Sequence, residues 1–177
     1  MTMNPQLAKG ISEQIVKELH SAYLYLQMAA WCETRNLKGF SNWFRVQAQE
    51  EGCHGLIFFN FLLDRGEYPK LGTVGAPSPD FKSMVDVFER TLAHEQLVTA
   101  SINALVDLSI IEKDHASKGR LDWFVAEQVE EEANAAEILG KLKLLGVDAG
   151  EGLLQLDRVM AARTFVLPAP LAAGGAP

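Results

Sequence analysis

Apolar positions recur along most of this chain at the spacing of helices that each bury one face. Asn4-Pro5 opens the first segment, with Asn as cap and Pro at the first helical position. At 100° per residue Ile11, Ile15, Glu18, Ala22, Tyr25, Leu26 and Ala29 share an arc, which predicts a helix from residue 5 to about Arg35. A second stripe, Leu24, Met28 and Trp31, lies nearly opposite and predicts a second partner, another subunit. Asn36-Leu-Lys-Gly39 closes the helix, with Gly39 as the expected left-handed residue. The next helix is predicted from about Phe40 to Asp64. Its arc is Phe40, Phe44, Gln47, Glu51, His54, Phe58 and Leu62.

Residues 66–80 hold three prolines and three glycines and cannot be helix. Fifteen extended residues reach ~50 Å, the length of a long helix, so the third helix can start at the same end as the second. That third helix is predicted over about Phe81–Glu112, with Phe81, Val85, Phe88, Leu92, Glu95, Thr99, Asn103, Val106 and Ile110 on one arc. Polar residues 114–119 are read as a break. A fourth helix follows over about Arg120–Leu145 and aligns Phe124, Glu127, Glu131, Ile138, Leu142 and Leu145, with Gln128 and Ala135 at the edge. Asp148-x-x-Glu151 resembles a capping box and opens a short fifth helix to about Arg163. The expected architecture is all-α, one domain over 1–165 and a low-complexity tail over 166–177, with residues 168–177 unstructured.

Composition narrows the class. The chain has 177 residues, 48% hydrophobic and 22% charged, enough for one sizeable core. Its net charge of −7 argues against a nucleic-acid partner and suits the handling of cations. Cys32 and Cys53 form no zinc-type spacing and no disulfide framework, so reduced thiols in a cytoplasm are expected. Neither a signal peptide nor an apolar run long enough to span a bilayer is visible, and no membrane partner is expected.

Chemistry enters through acids placed in apolar stripes. Each of the four long helices carries one at mid-length on its core face: Glu18, Glu51 with His54, Glu95, and Glu127 with Glu131. Glu51 and His54 are one helical turn apart, and such a pair can simply bond within a core. No Lys or Arg shares the middle of these arcs, however, so a set of buried salt bridges does not explain four coincident acids. A solvated face does not explain them either, because the acids interrupt Phe, Leu and Ile. Carboxylate oxygens with one imidazole suit iron, manganese or zinc, and paired carboxylates can bridge two ions. Two single Glu residues and Glu-x-x-His on the other helices is the pattern of di-iron bundles. The fourth helix departs from it, offering Gln128-Val-Glu130-Glu131.

Over residues 4–160 the chain resembles the non-haem bacterial ferritins. The resemblance is carried by Trp31-Cys32, Gln47-Ala-Gln-Glu-Glu51 with His54, Glu95-Gln-Leu, Glu127-Gln-x-Glu-Glu131 and Gly150-Glu-Gly-Leu. It implies a ferritin-like antiparallel four-helix bundle with a long crossover between helices two and three and a short fifth helix. The implied assembly is a twenty-four-subunit shell that oxidises Fe(II) with oxygen or hydrogen peroxide and stores ferric mineral. Carried over by position, Glu18, Glu51 and His54 would hold one iron, with Glu51 bridging. Glu51, Glu95 and Glu131 would hold the second, with Gln128 beside it. Glu50, Glu127 and Glu130, with Glu131, match a third iron site, and Tyr25 matches the family's redox-active tyrosine.

The chain also departs from relatives of that family. Gly52 stands where bacterioferritins place a haem-ligating Met after the bridging Glu, so no haem is expected. Lys118 and Leu121 stand where animal ferritins place channel acids. Two other readings of the acids remain at this point. One is a rubrerythrin-like or oxygenase-like di-iron enzyme, although no Cys-x-x-Cys pair supports a rubredoxin module. The other is a catalytically silent helical assembly protein.

Overall fold

The computed structural model describes residues 2–146 and 150–172. Four long helices, α1 (Pro5–Glu33), α2 (Lys38–Asp64), α3 (Met84–Ile111) and α4 (His115–Leu145), are followed by short α5 (Gly150–Met160) and one turn, α6 (Ala169–Ala172). No strand occurs among the described residues, and no described helix is long and apolar enough to cross a membrane. α1 pairs with α2, α3 with α4, and α1 with α3, while α5 lies against α2. Trp31 near the end of α1 donates to the Phe81 carbonyl before α3, and Phe40 at the start of α2 meets Phe88. So α2 and α3 start at the same end of the bundle, and the long crossover spans its length.

The buried seam of each long helix advances in alternating steps of four and three residues. On α1 it is Leu7, Ile11, Gln14, Glu18, Ser21, Tyr25, Met28 and Cys32. On α2 it is Phe40, Phe44, Gln47, Glu51, His54, Phe58 and Phe61. α3 contributes Met84, Phe88, Thr91, Glu95, Val98, Ile102, Leu105 and Ser109, and α4 Ser117, Leu121, Phe124, Gln128, Glu131, Ala135, Ile138 and Leu142. This is a 3.5-residue repeat, the spacing of helices that wind around one another with a left-handed twist. Polar seam positions fall at mid-length on all four helices. They divide the apolar interior into two clusters, one around Tyr25, Phe44, Phe88 and Ile138, the other around Ile15, Phe58, Val98 and Phe124.

Several local expectations are corrected. The left-handed residue after α1 is Asn36, with φ 60°, and Gly39 lies inside the first turn of α2. Gly39 serves packing: a Cβ there would sit 1.6 Å from the Asp157 carbonyl of α5. α3 starts three residues later than Phe81, at a Ser83 cap that accepts from Asp86 N. Residues 115–119 are not a break. Asp114 caps α4 by accepting from Ser117 N and pairs with Arg65 at 2.9 Å, so the polar run is the helix's first turn. The proposed cap Asp148 lies outside the described residues. Residues 169–172 form a turn of helix, and Leu171 packs on the apolar cluster beside the last turns of α2.

The Leu24, Met28 and Trp31 stripe, expected to pack on another subunit, turns mainly into the chain's own interior, with Leu24 partly buried against the same cluster. Met28 and Trp31 are buried within the chain, where Thr91 donates to the Met28 sulfur and Trp31 reaches Phe81. The large apolar residues exposed on α1 are instead Leu19, Tyr23 and Leu26, so Leu26 lies off the core arc where the periodicity places it.

Candidate metal centre

Seam geometry brings Glu18, Glu51, His54, Glu95, Gln128 and Glu131 to the middle of the bundle, each 4% exposed or less. Glu18, Glu51 and His54 offer ligand atoms that all lie within 4.8 Å of one another. His54 Nδ1 is 3.5 Å from Glu51 Oε2. Across the layer, Gln128 Nε2 donates to Glu95 Oε2 at 3.2 Å and to Thr99 Oγ1 at 3.3 Å. Tyr25 donates its phenolic hydroxyl to Glu95, which places it on the second half of the site.

Two amides that the motif reading left without a role hold the acids. Gln14 donates to Glu18 Oε1 at 2.8 Å and is itself oriented by Ser101, which donates to Gln14 Oε1 at 2.6 Å. Gln47 donates to Glu131. Both lie on the seam one turn before an acid of the site, so their spacing was visible in the sequence although their partners were not.

The electrostatics show what this layer lacks. Burial pushes Glu18 up to about 8, with repulsion from Glu51 adding to it. Burial likewise carries Glu95 to about 8, against the opposing hydrogen bond from Gln128. Glu131 reaches about 8 through burial and then the charge of Glu95. For His54, burial alone favours the neutral ring, but the bond to Glu51 and the charges of Glu51, Glu18 and Glu131 carry it up to about 10. Among the described residues, Glu18 Oε2 and His54 Nε2 are the buried side-chain atoms with no hydrogen-bond partner. Orphaned buried donors and acceptors are rare and costly. A cation with oxygen and imidazole ligands satisfies Glu18 and removes the need for these groups to hold protons, so the donor set fits a divalent metal.

The three remaining acids sit beside this layer and are less buried. Glu50 and Glu127 side chains are 17% and 28% exposed, and Glu130 is exposed. His54 Nε2 is 3.8 Å from Glu127 Oε1. Burial raises the Glu50 carboxyl above the usual carboxylate range, Arg163 partly offsets this, and the charges of Glu127 and Glu130 raise it further. Arg163, from the segment after α5, was not foreseen. Its guanidinium lies 2.5 Å from Glu50 Oε2, donates to Gln47 Oε1 at 2.5 Å, and sits over the Trp43 ring.

Residues 8–145 match the ferritin-like domain. The chain belongs to the ferritin family. A bacterial non-heme ferritin from Escherichia coli O6:H1 is 37% identical over 156 residues, which are 88% of this chain and 94% of that protein. One from Campylobacter jejuni is 38% identical, covering 88% of this chain and 93% of the relative. An open-pore ferritin from Archaeoglobus fulgidus superposes with a TM-score of 0.90 at 43% identity, over 92% of this chain and 99% of that one. Among the described residues, no Lys or Arg side chain bonds Glu18, Glu51, Glu95 or Glu131.

Proposed function

We propose that the chain is an iron-storage ferritin that oxidises Fe(II) at the central carboxylate layer and passes ferric product to a mineral inside a homo-oligomeric shell. The observation that carries this reading is the buried Glu18, Glu51 and His54 set, with Glu18 Oε2 left without a partner. Glu18, Glu51 and His54 are the ligands of one substrate iron. Glu51, Glu95 and Glu131, with Gln128 alongside, receive a second, and Glu51 bridges. Two adjacent Fe(II) ions supply the two electrons that reduce one oxygen, with two protons, to hydrogen peroxide. A peroxide oxidant would instead take two electrons and two protons to give two waters. Anionic oxygen ligands favour Fe(III) over Fe(II), and so drive the oxidation.

Protons held on Glu18, Glu95 and Glu131 leave as the metal arrives. Tyr25, bonded to Glu95, is positioned to act as a one-electron donor to that side of the site. A Glu at 131 and an amide at 128, in place of a second Glu-x-x-His, hold the second iron less firmly, which favours onward movement of product. Glu50, Glu127 and Glu130 form a third, weaker position toward the mineral. The shell has twenty-four subunits, carries no haem and operates in a cytoplasm. Aerobic addition of Fe(II), followed by ferric absorbance and by sizing of the loaded protein, tests this reading. Rapid oxidation with iron co-eluting in a large shell is expected. Slow oxidation at the rate of protein-free buffer would overturn it.

A further inference from the structure

We propose that Arg163 is the resident counter-ion of the Glu50, Glu127 and Glu130 group, and that a divalent cation entering that group displaces it and releases the C-terminal segment from α2. This rests on the iron reading above, since it concerns how the third position is filled. Arg163 Nη2 lies 2.5 Å from Glu50 Oε2 and its Nη1 donates to Gln47 Oε1 at 2.5 Å. The guanidinium carbon stands 4.6 Å from the centre of the Trp43 ring. Asn42 holds the segment's backbone, donating to the Arg163 carbonyl at 2.9 Å. The segment is thus docked at both backbone and side chain, with the one charged side chain among its described residues placed on Glu50.

One guanidinium cannot balance three carboxylates. The charges of Glu127 and Glu130 still act on Glu50, and His54 Nε2, 1% exposed and without a hydrogen-bond partner, lies 3.8 Å from Glu127 Oε1 on the bundle side. A divalent cation carries twice the charge of Arg163 and can bind several oxygens at once, whereas of the three carboxylates the planar fork bonds Glu50 alone. Occupation by Arg163 therefore keeps this group from collecting metal until the cation supply is sufficient to exchange it.

The exchange is transmitted inward. Gln47 accepts from Arg163 through its carbonyl and donates to Glu131 through its amide nitrogen. The reversed amide would set its oxygen against the Glu131 carboxylate and its NH2 against the guanidinium, so both neighbours fix the same orientation. Loss of Arg163 frees Gln47 to turn, and Glu131 loses the donor that holds it. Filling of the outer position is thereby felt at a ligand of the inner one.

Anaerobic Co(II) titration of the full assembled protein, read by d–d absorbance and by crystallography of the loaded form, tests this. Arg163→Gln should bind cobalt between Glu50, Glu127 and Glu130 about tenfold more tightly than the parent, the scale of losing a charge-assisted hydrogen bond from the competing side. Arg163→Lys, which keeps the charge but not the fork, should fall between them and serves if the Gln variant does not assemble. In the parent, saturating cobalt should expose the chain after Met160 to protease. A purely structural Arg163 would lower thermal stability in the variants without changing cobalt affinity at this group, and that result overturns the proposal. Unchanged protease resistance in the cobalt-loaded parent would also overturn it. Failure of both proteins to bind cobalt at Glu18, Glu51 and His54 would instead sink the metal-centre reading, and this proposal with it.

Discussion

At the scale of single residues, the site is a layer of acids whose cationic neighbour is the His54 ring, and its behaviour follows from that. In the proposed site Glu51 bridges the two irons, so Glu51→Ala should slow Fe(II) oxidation by more than ~100-fold. Helicity and assembly should be unchanged, because the loss of the His54 contact is offset by relief of the repulsion that Glu51 exerts on the buried Glu18 carboxyl. Stopped-flow ferric absorbance with circular dichroism checks this, and wild-type kinetics would remove the assignment. The same acids set a pH dependence in the metal-free protein. Glu18, Glu95 and Glu131 sit at about 8 in the folded chain against 4.5 for the free side chain, and His54 at about 10 against 6.5. The folded state therefore binds more protons than the unfolded one between those limits, and stability falls as pH rises. The urea midpoint of metal-free protein should drop between about pH 6 and pH 9; a flat or rising midpoint contradicts the protonated layer. These acids were legible in the sequence because they interrupt apolar stripes. Arg163 was not, because it meets Glu50 from 113 residues away. No local pattern announces such a contact.

At the scale of elements, the four helices were legible and their faces only partly so. A uniform 100° per residue drifts ~20° per heptad from a 3.5-residue seam. Over the length of α3 that drift carried the expected arc to Asn103 and Ile110, which are exposed, when the seam runs through Ile102, Leu105 and Ser109. On α4 it favoured Glu127 over Gln128, and the structure buries Gln128. Helix starts were misread where capping residues looked like loop, as at Asp114. The close crossing of α5 on α2 gives a sharp test. Gly39→Ala places a methyl into the Asp157 carbonyl, so α5 must lift or shift, at a cost of about 1–3 kcal/mol. Thermal unfolding with hydrogen exchange on α5 would show this. Unaltered protection there would mean that the two helices part more easily than their packing implies.

At the scale of the whole molecule, the outer surface carries what the bundle does not use. Leu19, Tyr23 and Leu26 lie on one exposed face of α1, and Leu56 and Leu63 are exposed on α2. A shell needs such faces, and Leu26→Glu should shift the protein to smaller species in analytical ultracentrifugation, since an unpaired charge buried at an interface costs about 3–5 kcal/mol. An unshifted distribution would place the subunit contact elsewhere. Within each subunit, the division of the apolar interior by a polar layer has a consequence for engineering. Phe40 and Phe58 belong to different clusters, and their separation of 18 positions along α2 amounts to about 27 Å. Substitutions at such separations should combine additively, within about 0.5 kcal/mol. The two ends of the bundle can then be hardened against heat independently, by separate rounds of repacking, while the chemistry between them is left untouched.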